Sequence, residues 1–112
     1  MTTIFYECES LKDLDLSNFK THNVTNIEEM FYRCKSLKSL NLKNFNTENV
    51  TNMTAIFYEC ESLQNLDLSN FNTKYASNFT GMFYGCKSLK SLDLSNLTTD
   101  NVIKMKGMFF SM

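Results

Sequence analysis

The groups with chemistry to offer in this sequence are four cysteines, one histidine and a file of carboxylates, and all but the histidine recur at one interval. Cys8, Cys34, Cys60 and Cys86 stand 26 residues apart. One cysteine per repeat is not the pattern of a knotted secreted framework. Stacked at the ~4.8 Å spacing of neighbouring strands, they would form a ladder beside Phe and Leu, too straight for the tetrahedral cage of zinc. Reduced, packing thiols are expected; disulfides between neighbouring layers are an alternative that the required geometry only marginally allows. Asp15, Asn41, Asp67 and Asp93 form a second file. Carboxylates ~5 Å apart repel each other and could hold Ca²⁺ or attract cationic side chains. Lys12, Lys38 and Lys90 flank the file and offset that repulsion, so a solvated strand face is the simpler expectation. His22 stands where other copies have Glu48, Lys74 and Asp100, a variable position without a third group to orient a base. Ser10, Ser36, Ser62 and Ser88 have no histidine beside them, and 3 glycines supply no phosphate-cradling loop. An enzyme needs unlike groups that converge, and these are columns of like ones. No catalytic residue, cofactor or metal site is expected.

Self-similarity at a period between 20 and 50 residues is the signature of a stacked repeat array. The copies are a partial one at 1–22, three whole ones at 23–48, 49–74 and 75–100, and a second partial one at 101–112, together forming one unit. The fourth keeps the frame but writes Tyr75-Ala76 for Asn-Val and Leu97 for Phe. Within a copy, Leu63, Leu66 and Leu68 end in the alternation of a short strand, with Asp67 pointing away from the leucines. Strands are expected at about 13–16, 39–42, 65–68 and 91–94. Val50, Met53, Ile56, Phe57 and Cys60 then step by three and four, the spacing of one helix face. Helices are expected at about 24–33, 50–59, 76–85 and 102–110, which makes the class α/β. Thr21, Thr47, Thr73 and Thr99 precede these segments as N-caps. The Asn-Val-Thr-Asn-Met opening has poor helix propensity, so a 3₁₀ turn or a later start is the variant reading. Asn18, Asn44, Asn70 and Asn96 read as a structural ladder at the bend after each strand.

With 43% hydrophobic and 21% charged residues, the chain has the apolar material of a folded protein. No copy can enclose its own Leu, Phe and Met face. Burying about six such side chains per copy against the next supplies of order 10 kcal/mol before entropy is subtracted. A net charge of −1 lacks the basic footprint that a nucleic-acid partner requires, and no apolar run is long enough for a membrane span. The first residues lack a signal-peptide pattern. Because Met1 falls inside a repeat, any targeting segment is expected to lie outside these residues. Neither end carries a polar capping copy, which fits a piece of a longer array or ends that stack on one another. The Asn-x-Thr sequons at Asn23, Asn49, Asn52, Asn78 and Asn96 read as by-products of the repeat.

The frame NVTNM, MFYxC, SLxxLDLSNFNT, held in register over essentially all 112 residues, resembles the repeat of the BspA-like leucine-rich repeat proteins of bacterial surfaces. That resemblance implies a right-handed solenoid of short strands and helices, displayed on a cell surface as part of a lipoprotein and used in adhesion to host or matrix proteins. The strand face is then the expected protein-contact surface: Lys12, Asp13 and Asp15; Lys38, Ser39, Asn41 and Lys43; Gln64, Asn65, Asp67 and Ser69; Lys90, Ser91, Asp93 and Ser95. Rival expectations are a self-assembling or structural spacer with no ligand, and an intracellular scaffold for a protein partner.

Overall fold

The structure, a computed structural model, describes residues 1–95 and 97. Each copy lies on the next at the interval of the repeat. Alternation in Asp-Leu-Asp and Ser-Leu-Asn produces β1 (Asp13–Asp15) and β2 (Ser39–Asn41), both exposed, half-buried, exposed along their length. They pair in parallel, with Asp13 opposite Ser39, Leu14 opposite Leu40 and Asp15 opposite Asn41. The strands expected at 65–68 and 91–94 contract to one bridge, Asn65 to Ser91, beside a Lys90 N–H donating to Gln64 O at 3.0 Å. Asp67 and Asp93 each accept from the amide two residues on, that of Ser69 and that of Ser95, as Asp15 and Asn41 do after β1 and β2, so this turn bounds the extended run in every copy.

A second parallel ladder joins Asn26, Asn52 and Asn78 on the other side of each copy. There the side-chain Oδ1 of each asparagine accepts the amide two residues ahead, from Glu28, Thr54 and Thr80, and starts a chain of turns.

The returns expected as helices over 24–33, 50–59 and 76–85 are these turns; no described residue is helical, and 102–110 lies outside the described residues. Met30 N–H donates to Ile27 O, Tyr32 to Glu29 and Cys34 to Phe31, each bond three residues long. A helix would need the carbonyls of Glu28, Met30 and Tyr32 for its own amides. Here they accept Thr3, Phe5 and Glu7 N–H from the layer before, at 3.2, 3.0 and 2.7 Å. The amides of Glu29, Phe31 and Arg33 pass the bond on to Thr54, Ile56 and Tyr58, and those of Ala55, Phe57 and Glu59 pass it to Thr80, Met82 and Tyr84. Three chains of head-to-tail peptides therefore run through the stack, and they satisfy backbone groups that a helix would have satisfied internally. The turns require a positive φ at two places per copy: Thr3 and Glu7, Glu29 and Arg33, Ala55 and Glu59, Gly81 and Gly85. Among the described copies only the fourth puts glycine there, where this conformation costs no steric strain. Three-residue turns return i and i+3 to the same side, so Ile27, Met30, Phe31 and Cys34 are buried just as a helix face would be.

The threonines expected as caps serve the next layer instead. Thr21 Oγ1 accepts from Asn46 N–H at 2.7 Å; Thr47 Oγ1 accepts from Asn72 N–H at 2.8 Å and donates to Asn72 O at 2.9 Å. Thr21, Thr47 and Thr73 are buried, and Thr99 lies outside the described residues. The core between the two ladders is a set of columns. Phe5, Phe31, Phe57 and Phe83 stack with ring centroids 5.7, 5.7 and 5.8 Å apart, and Phe45 lies 6.3 Å from Phe71.

Candidate interaction surfaces

The leucines of each trio turn inward, and all fifteen strand-face residues named from the sequence are exposed, Lys12 to Ser95. Their bonds are local or reach one layer. Asp15 Oδ1 accepts from Ser17 N–H, Asn41 Oδ1 from Lys43 N–H, and Ser39 Oγ donates to Asp13 Oδ1 at 2.9 Å. The acidic file therefore ends the strands. Donation by the hydroxyls and amides of Ser17, Ser69 and Ser95 lowers the pKa of Asp15, Asp67 and Asp93 below the ordinary value. A cleft of about 270 Å³ lies between two of these carboxylates, lined by Leu66, Asp67, Leu68, Ser69, Asp93 and Ser95. No group of three or more His, Cys, Asp or Glu residues among those described is arranged to hold a metal ion.

The turn face carries a surface that the sequence reading missed. Tyr6, Tyr32, Tyr58 and Tyr84 stack with centroids 4.8, 4.7 and 4.5 Å apart and planes within 12° of parallel. Burial, then the neighbouring phenols, pushes the Tyr32 and Tyr58 hydroxyls above their ordinary pKa. Beside this rib runs a charged column in which Arg33 bonds Glu59 at 2.8 Å and Glu7 at 3.3 Å, with Lys35 and Glu61 3.8 Å apart behind it. The signal was present in the sequence. The Tyr of each Phe-Tyr pair recurs at the same interval as the cysteines, and the residues at 7, 33 and 59 alternate in sign.

The sulfur ladder is buried from the second layer on. Cys34, Cys60 and Cys86 donate Sγ–H to the carbonyls of Phe5, Phe31 and Phe57 at 3.0, 3.2 and 3.0 Å, and all four cysteines are free. Desolvation pushes the Cys34 thiol up to about 11 and Cys86 to about 12, and raises Cys60 as well. A protonated, enclosed thiol is a poor nucleophile and a poor metal ligand. His22 is exposed. Asn44 Nδ2 donates to Ser17 O, and Asn70 Nδ2 to Leu42 O and Phe45 O, so this column ties each bend to the layer before it.

Layers of one repeat, joined by backbone ladders and presenting columns of like side chains, define a repeat protein. The chain belongs to the family described as "Mycoplasma protein of unknown function, DUF285", whose family model matches residues 1–112. Comparison with curated proteins and with solved structures returned no match.

Proposed function

We propose that this chain is a non-enzymatic, protein-binding repeat module, a right-handed leucine-rich-repeat solenoid of the BspA-like kind that serves adhesion or host contact at a bacterial cell surface. The observation that carries this reading is the exposure of all fifteen strand-face side chains on a scaffold whose leucines are inward. Extended faces of stacked repeats are their usual contact surfaces. A standard interface buries ~800 Å² per partner, which a face of four layers only just supplies, so single contacts are weak and attachment is multivalent. The charges alternate along the face, with Lys12 and Lys38 beside Asp13 and Asp15, which favours a partner of mixed charge over a polyanion.

The test is binding of the chain, displayed in several copies, to purified matrix proteins immobilised on a sensor. The double variant Asp67→Lys, Asp93→Lys should lose at least tenfold in retention. A passive spacer would show no retention, or retention indifferent to these two changes. Surface display is tested separately by protease accessibility of the chain on intact cells.

A further inference from the structure

The three whole copies begin Asn23-Val24, Asn49-Val50 and Tyr75-Ala76. Packing constrains only the second residue of each pair: Val50 and Ala76 are buried, whereas Asn23, Asn49 and Tyr75 are all exposed. The core therefore does not ask for an aromatic at 75. Yet Tyr75 is 51% exposed, more than Ile4, Tyr6 or Phe19, the other exposed large apolar residues among those described. A residue that departs from its column without a packing reason marks a place where something other than folding sets the choice.

Tyr75 forms one end of an open groove of about 810 Å³ whose other lining residues are Asn23, Thr25, Asn49 and Thr51. The lining holds amides, hydroxyls and one ring, and no charge. Asn49 is oriented by donating from Nδ2 to His22 O at 2.9 Å, which leaves its Oδ1 to accept; Thr51 Oγ1 lies 3.4 Å from Thr25 O. Lys74 Nζ sits 5.2 Å from the centre of the Tyr75 ring and helps to hold it in place.

We propose that this groove binds a neutral saccharide. A pyranose lays its C–H face on Tyr75 and directs its hydroxyls to the Asn49 amide and the Thr51 hydroxyl, and the next sugar along meets the same pair one layer back, at Asn23 and Thr25. Other ligand classes fit worse. None of the five lining residues offers an ionic ligand a counter-charge, and Lys74, the cation beside Tyr75, is engaged with its ring; a wholly apolar ligand would strand amides and hydroxyls without partners. Repetition of one amide-hydroxyl pair at ~4.8 Å per layer suits a linear glycan, whose own unit is of similar length. This site lies apart from the strand face and stands or falls independently of the function proposed for that face.

The test uses the whole chain, biotinylated and displayed on streptavidin so that weak contacts add, against an array of neutral and acidic glycans. Expected is retention on neutral glycans, at least tenfold lower for Tyr75→Asn, kept by Tyr75→Phe and unchanged by Asp67→Lys. Tyr75→Asn restores the residue that the column carries elsewhere, so it keeps the fold; an unchanged melting temperature checks this. No retention on any neutral glycan, retention confined to acidic glycans, or retention that Tyr75→Asn leaves intact each overturns the proposal.

Discussion

The strand face and the turn face are built from the same repeat, yet they spend their side chains differently. On the strand face, Asp15, Asn41, Asp67 and Asp93 each bond an amide two residues away, and backbone pairing is confined to two three-residue strands and a bridge. On the turn face, every second amide crosses to the next layer, and the Phe, Tyr, Cys and charged columns cross with it. The turn face therefore holds the layers together. The strand face is left with exposed side chains whose loss costs the fold little, the condition a contact surface needs. Neighbouring layers bind each other through the side that looks less like a sheet.

The largest break in that contrast is expected at the centre of the phenylalanine stack. Phe57 is fully buried between Phe31 and Phe83, and Phe57→Ala should cost about 3–5 kcal/mol, read as a shift of the urea midpoint, against about 0.5 kcal/mol or less for Asp67→Lys. Equal effects would erase the distinction between the faces. Next comes Thr47→Val. It fills nearly the same space but strands both backbone groups of Asn72, for about 1–3 kcal/mol by the same measurement. A cost near zero would show that the hydroxyl does not tie the layers together. Gly85→Ala should destabilise by about 1 kcal/mol, because φ is +73° there and the new Cβ would lie 3.0 Å from Glu59 Cγ. An unchanged melting temperature would remove the positive-φ requirement from the turns.

The smallest effects are in pH, and they have opposite signs on the two faces. Asp15, Asp67 and Asp93 have folded pKa values below the ordinary 3.8, so their contribution is present above that value and is lost as pH falls through the lowered ones. Tyr32 and Tyr58 are raised above 10.0, so stability held below that pH is lost as pH rises through the raised values, where the unfolded chain already ionises. A melting-temperature profile should show both arms. Tyr32→Phe with Tyr58→Phe should reduce only the alkaline arm and leave the part that the buried Cys34, Cys60 and Cys86 thiols, also raised by desolvation, contribute to it, and Asp67→Asn should shrink only the acid one. Asn41 shows that an amide can make the same turn.

Much of this architecture was legible beforehand. Cysteines at one interval predicted that layer meets layer at that interval, and Leu14 opposite Leu40 obeys it, as do the stacked phenylalanines. The strand-face residues were also legible, because side chains alternate along even a three-residue strand. The turn face was not. Val50, Met53, Ile56, Phe57 and Cys60 are spaced as a helix would space them, and a run of three-residue turns buries the same positions. Only the destination of each carbonyl separates the two, and a carbonyl's partner one layer away leaves no trace in local periodicity. Gly81 and Gly85 were the one local hint, since two glycines four residues apart mark positive φ; the first three copies hide it behind Thr3, Glu7, Glu29, Arg33, Ala55 and Glu59. The threonines were misassigned for the same reason: a hydroxyl before a turn looks like a cap until the neighbouring layer supplies a better-placed amide.

The amino-acid order by itself determined the interval, which residues face inward and which columns face out, because those depend on patterns contained within one copy. The backbone path of the return, the bonding of the threonines and the closing of the tyrosines into one rib were decided only when the layers came together. Each depends on a hydrogen bond or ring contact between residues about 26 apart in sequence, and stacking competes there with local helix formation for the same donors and acceptors.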